Sequence, residues 1–318
     1  MSAKKERARY SLNIIATHRC NLNCSYCLRD ADIQKSEIPF TRLAEIILAL
    51  NERGCRNCTV TGGEAFMYGN VEQLIELLEK LGWEVFWETN GVLVRDKKIQ
   101  KLIEKMDRGK TSFLVSLDSS RKDIHDASRG KGAHDAAMTA IGILKKAGHR
   151  VSVNSVIHKA NIPTARSIHQ FIEVLTKNGV NGCYFSPVVA AGRNKQSPMA
   201  LSVRWVENIN MILKRARMYY GGRIAVNGIG QDNSPFCARL NRKTVVVSHK
   251  GFHPCLYLEN VLIAPLTDME EAFARMRSLK YLKQAADHWH GLEKSRCFVC
   301  ATFLPEFIKN IPFRINES

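Results

Sequence analysis

Apolar positions along the chain repeat with two periods that take turns. Leu12, Ile14, Ile15 and Ala16 make a short apolar run of strand length, and Leu43, Ile46, Ile47 and Leu50 then fall at the i, i+3, i+4, i+7 spacing of a helix with one buried face. The exchange continues, predicting strands over 58–61, 83–87, 113–117, 151–157 and 183–188 and helices over 71–78, 96–107, 135–147, 163–177 and 202–220. Asn70 is placed to cap the second helix, and Pro163 falls in the first turn of the fifth. Six strands alternating with six helices predict an α/β fold whose parallel strands are joined by right-handed crossovers. A closed eight-unit barrel would need about two more units, and in such barrels the chemistry gathers at the C-terminal ends of the strands. The last third breaks the alternation: 244–255 reads as a β-hairpin turning at Lys250-Gly251.

No run approaches the roughly 18 apolar residues of a membrane span. The basic start, 1–7, has no apolar stretch behind it, so no secretory signal is visible and a cytoplasmic protein is expected. In that compartment the clustered cysteines among the ten read as ligands rather than disulfides. The net charge of +17 would suit nucleic acid. Its carriers, however, are dispersed over Lys97, Lys98, Lys101 and Lys105, over Lys145, Lys146 and Arg150, and over Lys214, Arg215 and Arg217, as on solvated helix faces. An acidic or phosphorylated small substrate, or an acidic electron-donor protein, would be served by the same field.

Candidate chemistry begins just after the first strand, at Cys20-x3-Cys24-x2-Cys27. Three thiolates on one loop are a metal site without a fourth local sulfur. A zinc site completed by His18 or by a distant residue is one reading; an iron-sulfur cluster, usually held by four cysteines, would here keep one iron open. Gly62-Gly63-Glu64 ends the second strand, Thr89-Asn90-Gly91 the third and Ser116-Leu117-Asp118 the fourth, where Ser116 and Asp118 can face one side. Asn154 lies within an apolar strand, where an amide needs a partner. Cys55 and Cys58 straddle the start of the second strand and read as structural, with one thiol packed inward. Cys183 reads as core, or as a thiol facing the interior.

With Tyr26 just before the last cysteine, the triplet resembles the signature of the radical S-adenosylmethionine (radical SAM) superfamily. The resemblance implies a [4Fe-4S] cluster on Cys20, Cys24 and Cys27 whose open iron chelates SAM, the source of a 5'-deoxyadenosyl radical that takes a hydrogen atom from substrate. It implies a partial (β/α)6 TIM-like barrel over 11–220, preceded by a basic segment 1–10. Implied SAM-site residues are Tyr26, Gly62, Gly63 and Glu64 (toward the amino group), Asn90, Ser116, Asp118, Arg129 of the segment His125-Asp126-Ala127-Ser128-Arg129-Gly130, and Asn154. Cys237, Cys255, Cys297 and Cys300 resemble the ligands of a twitch domain, the short relative of SPASM, over 221–318. That implies a second, auxiliary [4Fe-4S] cluster, where a zinc ribbon is the plain alternative.

From this resemblance we expect a radical SAM oxidoreductase acting on a small metabolite such as a sugar, nucleotide or natural-product intermediate. An auxiliary cluster would accept the electron, and a flavodoxin or ferredoxin would supply the priming one. The alternative is a maturase of a ribosomal peptide, by epimerisation or crosslinking. Against it, the first strand begins by residue 12 and leaves no room for an N-terminal leader-binding domain, and an epimerase needs a thiol, for which Cys183 is the candidate. A zinc-bound, nucleic-acid-binding protein is the alternative of another class.

Overall fold

The computed structural model describes residues 11–32, 34–161, 163–188, 192–194, 203–227, 244–253, 256, 259 and 262–272. Its order begins β1 (Ser11–Thr17), α1 (Phe40–Glu52), β2 (Asn57–Gly62), α2 (Val71–Lys80), β3 (Glu84–Thr89), α3 (Lys97–Lys105) and β4 (Thr111–Ser116). Two helices follow, α4 (Lys122–Arg129) and α5 (Ala133–Lys146), then β5 (Arg150–Ile157), α6 (Ala165–Lys177), β6 (Gly182–Pro187) and α7 (Val203–Tyr220). The chain then adds β7 (Ala225–Asn227), β8 (Thr244–Ser248) and β9 (Gly251–His253).

The nine strands among the described residues share one sheet in the order β7-β6-β5-β4-β3-β2-β1-β8-β9. Every pairing is parallel except that of β8 with β9. The expected hairpin forms, and its first strand runs beside β1, with Ser11 level with Thr244 and Ile14 with Val247. The hairpin is thereby hydrogen-bonded into the same sheet as 11–220. Among the described residues β7 and β9 are the sheet's two edges and no closed barrel is formed.

Strand alternation decides what each face carries. Val85 and Trp87, Phe113 and Val115, Val151 and Val153, and Cys183 and Phe185 join the helices' apolar stripes, such as Leu43, Leu74, Leu102, Ile141 and Ile172, in one buried core. The intervening residues, Glu88, Ser112, Ser116, Ser152, Asn154, Tyr184 and Ser186, point to the opposite, open face. Register sets Ser116, Asn154 and Tyr184 level on three adjacent strands.

Two helix starts differ from expectation. Asn70 occupies the N-cap of α2 without a side-chain cap bond. α6 opens two residues after Pro163, where Thr164 and Ser167 form a reciprocal capping box. No helix among the described residues is long and apolar enough to cross a membrane.

Candidate functional site

β1 delivers the cysteine loop at its C-terminal end, with a register irregularity against β2 between Ile15 and Thr17. Donors already face two of the sulfurs: Leu22 N–H lies 3.5 Å from Cys20 Sγ and Ala31 N–H 3.4 Å from Cys27 Sγ, while the Asn90 amide lies 3.8 Å from Cys20 Sγ. Such donors are what thiolate ligands of an iron-sulfur cluster accept. Burial pushes the Cys20 thiol up to about 12 and raises that of Cys24, a penalty on thiolate that a bound metal offsets. All three cysteines are free and none is fully buried. The donor set therefore fits a cluster held by Cys20, Cys24 and Cys27.

The loop's own backbone is fastened from several sides. Cys20 N–H donates to Asp32 O at 2.9 Å, and Ser25 N–H donates to Ser128 O at 2.9 Å, which ties the loop to the C-terminal end of α4. From β2, Gly63 N–H donates to Thr17 O and Glu64 N–H to Arg19 O. A Cβ at Gly63 would stand 2.2 Å from Arg19 O, so only glycine allows this approach.

Glu64 is buried. One oxygen accepts from Thr89 Oγ1 at 2.8 Å and Phe66 N at 3.2 Å, the other from Asn90 N at 2.7 Å. Burial outweighs these bonds and lifts its carboxyl to about 7. Asn90 in turn donates its amide to Asn21 Oδ1 at 2.8 Å, and Asn21 Nδ2 is buried without a partner. The second and third strand ends thus meet the cysteine loop at one place.

The other flank is built on Asp118. Its carboxylate accepts Arg129 Nε and Nη2 at 2.8 and 3.0 Å, Val156 N at 3.0 Å, and a short bond from the Tyr26 phenol. Burial alone would raise this carboxyl, yet the Arg129 guanidinium holds it below its ordinary value. Arg129 also lies over the Tyr26 ring, 5.4 Å from its centre. His125 accepts Asp118 N–H at Nδ1; burial, and then Arg129, push it down to about 4, so it is neutral. Arg129 is the buried last residue of α4. Asn154 has the partner its setting demands, accepting from Ser186 Oγ at 3.0 Å. Ser116 stands beside it on β4.

Sequence reasoning missed Glu88, His158, His249 and Glu259 here. Glu88 faces the open side and accepts from Thr61 Oγ1 at 2.6 Å. His158 packs on Tyr26, with ring centres 5.1 Å apart. His18, His249 and Glu259 bring ligand atoms within 4.8 Å of one another and could hold a metal ion. As they stand they form a chain: His249 Nδ1 lies 3.1 Å from His18 Nδ1, and His18 Nε2 pairs with Glu259, whose other oxygen is 3.6 Å from Arg29 Nε. Against the upward push of burial, His18 and Arg29 hold the Glu259 carboxyl at about 2.

Cys183 is core, as read from the sequence: it pairs in register with Val153 on the helix-covered side, so the alternative of a thiol facing the interior falls away. One cysteine reading changes. Cys55 and Cys58 are both core, rather than one. Cys237, Cys255, Cys297 and Cys300 lie outside the described residues.

Comparison with known proteins agrees with this geometry. Residues 14–172, half of the chain, match the model of the Radical SAM superfamily. The antilisterial bacteriocin subtilosin biosynthesis protein AlbA of Bacillus subtilis is 28% identical over 184 residues, covering 56% of this chain and 39% of that one. The Fe-coproporphyrin III synthase of Methanosarcina barkeri is 30% identical over 206 residues, 63% of this chain and 50% of its own. The chain spans about half the length of the curated relatives it matches. In fold it is similar to Streptococcus suis SuiB bound to precursor peptide SuiA, with a TM-score of 0.71 at 15% identity over 92% of this chain and 76% of that one. Three cysteines on the loop after β1, met there by the ends of β2, β3 and β4 within the span of that match, make this chain an enzyme of the radical SAM superfamily.

Proposed function

We propose that the enzyme holds a [4Fe-4S] cluster on Cys20, Cys24 and Cys27, binds SAM at its open iron, and acts on a peptide. When bound, the reduced cluster with SAM supplies a 5'-deoxyadenosyl radical able to take a hydrogen atom from an unreactive carbon. The chain's own residues do the rest. Gly62 and Gly63 let the end of β2 close on the backbone of Thr17 and Arg19, which sets Glu64 beside the cysteine loop, where it offers a carboxylate to the SAM ammonium. Asn90, Ser116 and Asn154 line the approach, with Tyr26 and Asp118 behind them. Asp118 takes Nε and Nη2 of Arg129, which leaves Nη1 as the arm for the SAM carboxylate.

In this reading 11–220 is a partial (β/α)6 barrel whose open face is the substrate chamber. Residues 221–318 form the twitch or SPASM-like part, with Cys237, Cys255, Cys297 and Cys300 on an auxiliary [4Fe-4S] cluster and a flavodoxin or ferredoxin as electron donor. The carrying observation is the ladder of hydroxyl and amide groups on β4 to β6, with Ser116, Asn154 and Tyr184 level across it. Such a surface matches the alternating donors and acceptors of a peptide backbone. The similarity to AlbA and the SuiB-like fold support the same substrate class.

Because the Cys183 thiol is turned into the core, oxidative crosslinking is favoured over epimerisation quenched by that residue. The test is anaerobic incubation with SAM, dithionite and candidate precursor peptides encoded beside the gene. Crosslinking removes two hydrogen masses from the peptide. Epimerisation leaves the mass unchanged in water and adds one deuterium in deuterium oxide. Peptides left untouched, with turnover on a small metabolite instead, would overturn the proposal. The Methanosarcina barkeri relative favours that second reading.

A further inference from the structure

Residues 192–194, which follow β6, lie against the cysteine loop. Gly192 adopts φ +57, and a Cβ on it would stand 2.2 Å from Leu28 O and 2.4 Å from Cys27 O. That close approach delivers Arg193, whose N–H donates to Cys27 O at 2.9 Å. Its guanidinium spreads over three further acceptors: Cys24 O at 2.8 Å, Ala31 O at 2.8 Å and Asp30 Oδ1 at 3.1 Å. Asp30 is the one non-glycine residue with positive φ among the described residues, at +49. The loop spends local strain to present that carboxylate.

We propose that Arg193 is a positioning residue for the iron-binding loop, fixing the Cys24-to-Ala31 segment through four hydrogen bonds and placing a permanent positive charge beside the Cys24 ligand. Two consequences follow from elementary electrostatics. A planar fork that satisfies several oxygens at once cannot be replaced by an ammonium, which is a point charge. A fixed cation near a cluster favours the form with one more electron, because one-electron reduction makes the cluster more negative while its ligands stay the same. Arg193 therefore does two separable things: its geometry holds the loop, and its charge raises the potential at which an external one-electron donor reduces the cluster. Both are independent of which substrate the enzyme uses.

The experiment compares Arg193→Lys and Arg193→Gln with the parent, using Arg95→Gln, on an exposed residue elsewhere, as a control for net charge. Reconstituted proteins are titrated redoximetrically with the reduced cluster read by EPR, and hydrogen exchange over 20–31 is followed in the metal-free proteins. Arg193→Gln is expected to shift the midpoint potential to more negative values, with Arg193→Lys and Arg95→Gln near the parent. Both Arg193 variants are expected to exchange faster over 20–31. If Arg193→Gln takes up no iron, faster loop exchange with unchanged melting of the whole protein still supports the positioning role. Parental potential and parental loop exchange in both Arg193 variants would overturn it.

Discussion

Asp118 and Arg129 meet as a two-pronged pair, Nε and Nη2 of the guanidinium lying 2.8 and 3.0 Å from the two carboxylate oxygens. Both side chains are buried, and the pair ties the end of β4 to α4, whose last turn carries the cysteine loop through Ser128 O. Removing one partner leaves the other charge buried and unpaired, a loss of about 3–5 kcal/mol. Asp118→Asn and Arg129→Met should each lower stability by that order, and the double variant by less than the sum. Chemical denaturation of the metal-free proteins checks this; additive losses would show that the two act separately.

From the proposed contact of Glu64 with the SAM ammonium, a pH dependence of SAM binding is expected. Its carboxyl, lifted by burial to about 7, is largely protonated below that value and then presents no full charge to an ammonium. SAM affinity is expected to rise as pH climbs toward about 7 and to level off above it, by up to about tenfold per pH unit on the acid side. Equilibrium dialysis across pH measures the profile, and Glu64→Gln should flatten it and lower the plateau. An equally sloped profile in Glu64→Gln would assign the dependence to another group.

His125 sets a dependence of the same direction, on stability. Its value in the folded protein, about 4, lies below the ordinary 6.5, so the unfolded chain takes up the proton first. Stability from this group is complete above about 6.5 and falls as pH drops toward about 4, with a slope approaching 1.4 kcal/mol per unit. Melting curves of parent and His125→Gln should converge in acid. A constant gap between them across this range would contradict the assignment.

Gly63→Ala tests the packing of β2 against the loop. The added Cβ would meet Arg19 O at 2.2 Å, and backbone on backbone cannot yield as a side chain can. Displacing the Arg19 peptide should cost about 1–3 kcal/mol and reduce iron and sulfide bound per chain on reconstitution. Full loading at parental stability would show the loop has slack here.

Much of the scaffold was legible because burial writes periodicity into sequence. The six strand-then-helix units and the hairpin stand where the apolar pattern puts them. α4 was not legible, since its buried residues are His125, Ser128 and Arg129, polar groups that an apolar pattern passes over. Nor was the pairing of β8 with β1, which joins residues 233 apart, such as Ser11 and Thr244. Among site residues, the cysteines, Gly63 and Glu64 announced themselves by spacing. Arg193 and Glu88 did not: a single charged side chain looks like solvated surface until the fold shows what it faces.

The central claim is that Cys20, Cys24 and Cys27 hold a redox-active cluster that breaks SAM. Anaerobically reconstituted protein, reduced with dithionite and given SAM, should show an EPR signal of a reduced [4Fe-4S] cluster that changes on SAM addition, and should release 5'-deoxyadenosine. The variant with all three cysteines replaced by alanine should release none. A colourless parent protein carrying zinc, or a parent that keeps SAM intact under these conditions, would contradict the account.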